Sequence, residues 1–73
     1  MLNETVLVPV VEWSEYFQEF QAYIMECDAE TMDVVFAWSI RESPSPFECL
    51  EAVTAEWVRM MSNTINYYLE HDR

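Results

Sequence analysis

Residues 12–27, EWSEYFQEFQAYIMEC, carry the strongest pattern in the chain and decide the predicted fold. Their apolar side chains recur at steps of four, three, four and three residues, which is the stripe of an amphipathic helix. The stripe consists of Trp13, Phe17, Phe20, Ile24 and Cys27. Residues 29–42 have helical propensity as well, and they are apolar on two sides. Such a helix lies at the centre of a bundle or presents one side to a partner.

The run Ser43-Pro44-Ser45-Pro46 predicts a sharp boundary. Pro44 disfavours helical geometry at Ser43, so the preceding segment ends there. Ser45 is a suitable N-cap, Pro46 suits the first helical position, and Glu48 completes a capping box. A helix over residues 46–70 is therefore expected.

Residues 5–11, TVLVPVV, are rich in β-branched side chains and read as extended. Pro9 lacks an N–H donor, which restricts this segment to an edge strand or an irregular arm. The chain is too short for more than one domain, so residues 1–73 form a single unit with an extended arm at 1–11. The predicted fold class is all-α: a small three-helix bundle with helices at about 12–27, 29–42 and 46–70. Because its core is small, a homodimer through the helix at 46–70 or the apolar helix at 29–42 is an open alternative to a monomer.

The net charge of the chain limits the classes of partner that it can bind. Fourteen Asp and Glu residues against three Arg and no Lys give a net charge of −11. Nucleic-acid binding needs clusters of Lys and Arg, so direct contact with DNA or RNA is not expected. An acidic surface is also repelled by anionic lipid. A hydrophobic fraction of 52% is enough to build a core, which argues against disorder.

The sequence predicts a cytoplasmic protein, located in the host cytoplasm if a phage encodes it. The uncharged run at residues 5–11 is too short to span a bilayer, which takes about 20 residues. No basic segment precedes that run, so no signal peptide is expected. Cys27 and Cys49 both lie in apolar patterns and are expected to be reduced and buried.

No arrangement of residues predicts catalysis, a metal site or a cofactor. Paired carboxylates need a concave site to act as acid and base, and a small bundle seldom encloses one. His71 is the only imidazole and lies near the C-terminus. Asp28, Glu30 and Asp33 lack the glycine of a calcium loop, and the two cysteines lack the paired spacing of a zinc site. We therefore expect a non-enzymatic protein.

Acidic residues form a column along the predicted helix at 12–27. At about 100° per residue, four glutamates fall within about 60° of one another, on the side away from the apolar stripe. The column contains Glu12, Glu15, Glu19 and Glu26, and Glu30 and Asp33 extend it past the turn. One interpretation is a solvated face. The other is electrostatic mimicry of a nucleic acid, in which the carboxylates occupy a basic groove on a protein partner.

Aromatic residues exceed what a single small core can absorb, and some are expected to contact a partner. Trp and Tyr are frequent hot spots of protein interfaces. Trp38, Tyr67 and Tyr68 are the candidates for such anchors.

In size, charge and lack of Lys, the chain resembles the small acidic proteins with which phages and mobile elements block host enzymes. These include anti-restriction, anti-CRISPR and polymerase-inhibiting proteins, some of which imitate DNA. The resemblance implies a phage-type inhibitor that binds a basic, nucleic-acid-binding surface of a host protein. The alternatives are an adaptor or regulatory subunit that binds through an apolar helix face, and an immunity protein for a basic toxin.

Overall fold

A computed structural model describes the backbone of residues 4–71 and the side chains of that range except those of residues 66–69 and 71. Three strands precede one helix: β1 (Thr5–Ser14), β2 (Glu19–Asp28), β3 (Val34–Ser43) and α1 (Pro46–His71). The strands form an antiparallel sheet in the order β1-β2-β3, and α1 contacts all three strands. The fold is therefore α+β, and the predicted all-α three-helix bundle is wrong.

The predicted helix at 12–27 is replaced by the end of β1, a tight turn and most of β2. Its apolar spacing of three and four residues mixes the two faces of a strand. Phe20 and Ile24 belong to the face that packs on α1, whereas Cys27 has the opposite parity. β1 and β2 pair over their full length, from Thr5 opposite Asp28 to Ser14 opposite Glu19, so each strand supplies hydrogen-bond partners to the backbone of the other. The third strand and the packing of α1 on the sheet then stabilise this hairpin.

The predicted helix at 29–42 is also wrong, since this region contains a turn and β3. One Asp28 carboxylate oxygen accepts the backbone N–H groups of Glu30 at 2.9 Å and Thr31 at 3.1 Å. These contacts stabilise a turn instead of capping a helix. The strand that follows is rich in β-branched and aromatic residues, which favour a pleated surface.

The other two elements agree with the sequence. The extended arm is an edge strand, although it reaches Ser14 instead of ending at residue 11. The long helix begins at Pro46 as predicted, and the Glu48 N–H donates to Ser45 Oγ at 3.4 Å. The reciprocal half of the capping box differs, because the Glu48 carboxylate accepts from the Ser43 hydroxyl. That contact ties the helix to the end of β3.

The core lies between β2 and α1. Ile24 and Cys49 are fully buried, and Ala22 and Val53 are nearly so. Partly buried side chains from all four elements surround them: Leu7, Val11, Phe20, Trp38, Ile40, Trp57 and Met60. Both cysteines are buried and unpaired, as expected.

The sheet has a second face that no described element covers. Strand alternation places Val6, Val8 and Val10 of β1 on this open face, because Leu7 and Val11 pack on the helix side. Cross-strand pairing adds their partners on β2: Cys27, which is buried, and Met25 and Tyr23, which are partly buried. The open face is therefore largely apolar in its middle.

Candidate functional site

The structure separates the six acidic residues of the predicted column. Glu12, Glu15 and Glu19 lie together at the β1–β2 hairpin, in β1, in the turn and at the start of β2 respectively. Glu26 lies further along β2 and accepts a hydrogen bond from the Thr5 hydroxyl at 2.7 Å. Glu30 and Asp33 lie in the β2–β3 turn, about 30 Å from the hairpin along β2. The helical column does not exist, but half of its members share one end of the sheet.

The hairpin tip, residues 12–20, combines these acids with exposed aromatic rings. Tyr16 is 87% exposed and Phe17 is 53% exposed, and their ring centroids lie 4.8 Å apart in an edge-to-face arrangement. Trp13 and Phe20 form a second edge-to-face pair at 5.0 Å. Large aromatic side chains this exposed contribute little to folding, so they are available to a partner.

Hydrogen bonds hold the hairpin tip in one conformation. The Gln18 N–H donates to the Ser14 carbonyl oxygen at 2.8 Å, and the Phe17 N–H donates to Ser14 Oγ at 3.2 Å. The Gln18 side-chain amide also donates to the Glu15 carbonyl oxygen at 2.8 Å. Gln18 itself has φ 55°, in the left-handed region. A hairpin tip that is already ordered loses less conformational entropy on binding than a flexible loop does.

Among the residues that the structure describes, no cation forms an ion pair with the acids of the hairpin tip. Within the described residues, Arg41 pairs with Glu48 at 3.7 Å and Arg59 pairs with Glu56. Neither arginine forms an ion pair with the hairpin tip. Burial raises the pKa of Tyr23 on β2, and the adjacent Glu12 carboxylate raises that pKa further. The tip therefore presents a locally negative surface.

The predicted aromatic anchors lie elsewhere. Trp38 is half-buried, packs against the core and stacks at 4.7 Å on Phe36. Tyr67 and Tyr68 have side chains outside the described residues. The exposure of Phe17 was not predicted, because a helix over residues 12–27 places its ring in the apolar stripe. Tyr16 was counted among the surplus aromatic residues but was not one of the predicted anchors. A hairpin turn could have been predicted here, because polar Ser, Glu and Gln residues flank the two rings between two runs suited to strands.

A groove of about 320 Å³ lies between β3 and α1. It is lined by Arg41, Glu48, Glu51, Ala52 and Ala55. Two of these charged groups already pair with each other, and the apolar lining is limited to two methyl groups. Such a lining differs from the largely apolar walls of small-molecule sites. In the part of the chain that the structure describes, no group of three His, Cys, Asp or Glu side chains could hold a metal ion.

No described helix combines the length and the hydropathy that a membrane crossing requires. No family model, curated protein or solved structure matches the chain. The hairpin tip is therefore assigned as the candidate site on its own geometry and charge.

Proposed function

We propose that this chain is a small non-enzymatic inhibitor that inserts its hairpin tip into a basic cleft of a host protein, where a nucleic acid otherwise binds. The observation that carries the proposal is the exposed Tyr16–Phe17 pair flanked by three carboxylates that pair with neither Arg41 nor Arg59. The cytoplasm is the proposed location of the encounter.

Charge supports a basic partner. Glu12, Glu15 and Glu19 occur within eight residues, and the whole chain carries −11. A field of this sign attracts positively charged clefts and accelerates association, and it weakens as salt screens it. A cleft that holds nucleic acid supplies the complementary Lys and Arg residues.

The aromatic rings supply affinity that charge alone does not give. Proteins that hold single-stranded nucleic acid often stack bases on aromatic or guanidinium groups. The Tyr16 ring at the end of a narrow hairpin can enter such a base position, while the neighbouring carboxylates contact the basic walls. An immunity protein for a basic nuclease toxin would use the same chemistry.

The apolar open face favours a second candidate, an adaptor or regulatory subunit. Val6 is 39% exposed there, and Val8 and Val10 continue the row. A partner bound on this face would be held by apolar contact, so salt would have little effect on its affinity. The response to salt therefore separates the two candidates.

Charge reversal at the hairpin tip tests the proposal. The double variant Glu15→Lys/Glu19→Lys is compared with Glu51→Lys/Glu70→Lys, which makes the same change on exposed positions of α1. Each is used as bait in a host lysate, and the affinity of the captured protein is then measured by calorimetry. We expect at least a tenfold loss of affinity for the hairpin variant and less than a threefold loss for the helix variant. Equal losses, or no loss in either variant, would contradict the proposed site.

A further inference from the structure

We propose that a second copy of this chain pairs with the free edge of β3, in antiparallel orientation about a twofold axis at Ala37. The product is a six-stranded sheet with both helices on one face and the two open faces joined on the other. The hairpin tip takes no part in this contact, so the inference is independent of the proposed function.

The two edges of the sheet differ in their capacity to accept another strand. On β1, Pro9 has no N–H to donate, and the Leu7 carbonyl oxygen already accepts the Trp57 indole N–H at 2.9 Å. Among the described elements β3 pairs with β2 alone, and it contains neither Pro nor Lys. A long apolar edge of this kind is a template for pairing with another chain.

Two bulges define which part of β3 is available. The register shifts opposite Ala22/Tyr23 and opposite Glu26/Cys27, so Ile40 and Val35 are the extra residues of β3. The regular run between them is 36–39. An axis at Ala37 pairs residues 36–38 of the two copies within this run and keeps corresponding sheet faces together, because strand parity is then preserved.

The apolar side chains along this edge remain accessible. Val34, Val35 and Phe36 are 56%, 60% and 53% exposed. With the axis at Ala37, Phe36 of each copy lies opposite Trp38 of the other. The existing Phe36–Trp38 contacts, at 4.7 Å, would then merge into a cluster of four rings.

The balanced charge of β3 also favours self-association through this strand. It contains one Arg and one Glu, whereas β1, β2 and α1 each carry more acidic than basic residues. A chain of net charge −11 associates with itself most readily where its own charge is lowest. Antiparallel pairing also brings Arg41 of each copy beside Asp33 of the other, which forms two symmetric ion pairs.

The surface area is consistent with a missing interface. The chain exposes 5805 Å², whereas a compact monomer of this mass exposes about 4,700 Å². Its extents of 48 × 24 × 12 Å describe a flat and elongated molecule. A standard interface buries about 800 Å² per partner, which the excess can supply.

The test is the molar mass of the intact chain by light scattering after gel filtration, across a range of concentrations. We expect a mass of twice 8.7 kDa for the wild type. Phe36→Lys should shift the dimer dissociation constant upward at least tenfold, and the new Lys can pair with Glu26 opposite it in its own sheet. Leu50→Lys, at 54% exposure on α1, and Val8→Lys on the open face are the controls and should leave the dimer intact.

A wild type that stays monomeric at all concentrations would overturn the proposal. A dimer lost in Val8→Lys or Leu50→Lys but kept in Phe36→Lys would also overturn it, since another surface would then be the interface. Charge reversal in the turn before β3 tests the register without relying on Phe36 and leaves the Arg41–Glu48 pair intact. Asp33→Arg should weaken the dimer, because it faces Arg41 of the other copy, whereas Glu30→Arg makes the same change in the same turn and should not. Equal dimer stability in these two variants would contradict the axis at Ala37.

Discussion

The indole Nε1 of Trp57 donates a hydrogen bond to the Leu7 carbonyl oxygen at 2.9 Å. The bond joins residues 50 positions apart in the sequence and fixes the middle of α1 over the first strand. It also occupies a backbone acceptor of an edge strand, which leaves one edge of the sheet less open than the other.

Loss of this bond should destabilise the fold without changing its architecture. Trp57→Phe keeps an aromatic ring but removes the donor, so we expect a loss of about 1–2 kcal/mol in the free energy of unfolding. Urea denaturation followed by circular dichroism measures this loss. Trp13→Phe is the control, because Trp13 is 43% exposed at the hairpin, and it should cost less than about 0.5 kcal/mol. Equal costs would show that the Trp57 bond contributes little.

The turn between β2 and β3 contains a position where the backbone conformation favours glycine. Met32 is 54% exposed with φ 62°, in the left-handed region. A side chain in the left-handed region lowers stability by about 1–2 kcal/mol. Glycine avoids this cost but loses about 0.5–1 kcal/mol more conformational entropy on folding. Met32→Gly should therefore stabilise the fold by about 0.5–1 kcal/mol, measured by urea denaturation.

Glu30→Gly in the same turn provides the matched control for Met32→Gly. Glu30 does not have positive φ, so glycine there gives only the entropic cost and should lower stability. A stabilising Glu30→Gly, or a destabilising Met32→Gly, would contradict the strain at Met32.

The same turn should make stability depend on pH through Asp28. The N–H groups of Thr31 and Glu30 donate to its carboxylate and hold the pKa of Asp28 below its ordinary value. A lowered folded-state pKa adds stability that is fully present above the unfolded value, about 3.9. That stability is lost as pH falls through the folded-state pKa.

A variant at Asp28 separates the contribution of this carboxylate to stability from the reduced repulsion among all the acidic residues at low pH. Asp28→Asn keeps a side-chain acceptor without the charge, so it should be less stable than the wild type at pH 7. The difference should shrink as pH falls below the unfolded pKa of an aspartate. Urea midpoints at a series of pH values measure it, with Asp33→Asn as the control. A constant difference at all pH values would show that ionisation of Asp28 does not matter.

The sequence predicted the elements whose signals are local. Pro9 indicated an edge position, and the run from Ser43 to Pro46 located the start of α1, because both signals depend on proline geometry within a few residues. The second and third strands were missed. Their apolar residues serve both faces of a sheet, and together the two alternating sets imitate helical spacing.

The same difference explains which acids stayed together. Glu12, Glu15 and Glu19 are close in both arrangements, because they lie on one face within about two turns of a helix and at one end of a hairpin. Glu30 and Asp33 diverge from them because a strand rises about 3.4 Å per residue and a helix only about 1.5 Å. The pairing of β1 with β2 could not be read from either segment alone.

Competition with nucleic acid is the direct test of whether the hairpin tip enters a nucleic-acid-binding cleft. The protein captured from host lysate is loaded with a fluorescent oligonucleotide, and this chain is titrated in at several salt concentrations while anisotropy is recorded. We expect full displacement of the oligonucleotide, which weakens with rising salt, and at least tenfold weaker displacement by Tyr16→Ala/Phe17→Ala than by the control Val58→Ala. Two results would contradict the insertion of the hairpin tip into a nucleic-acid-binding cleft. In the first, the captured protein keeps its oligonucleotide; in the second, both variants displace the oligonucleotide equally well.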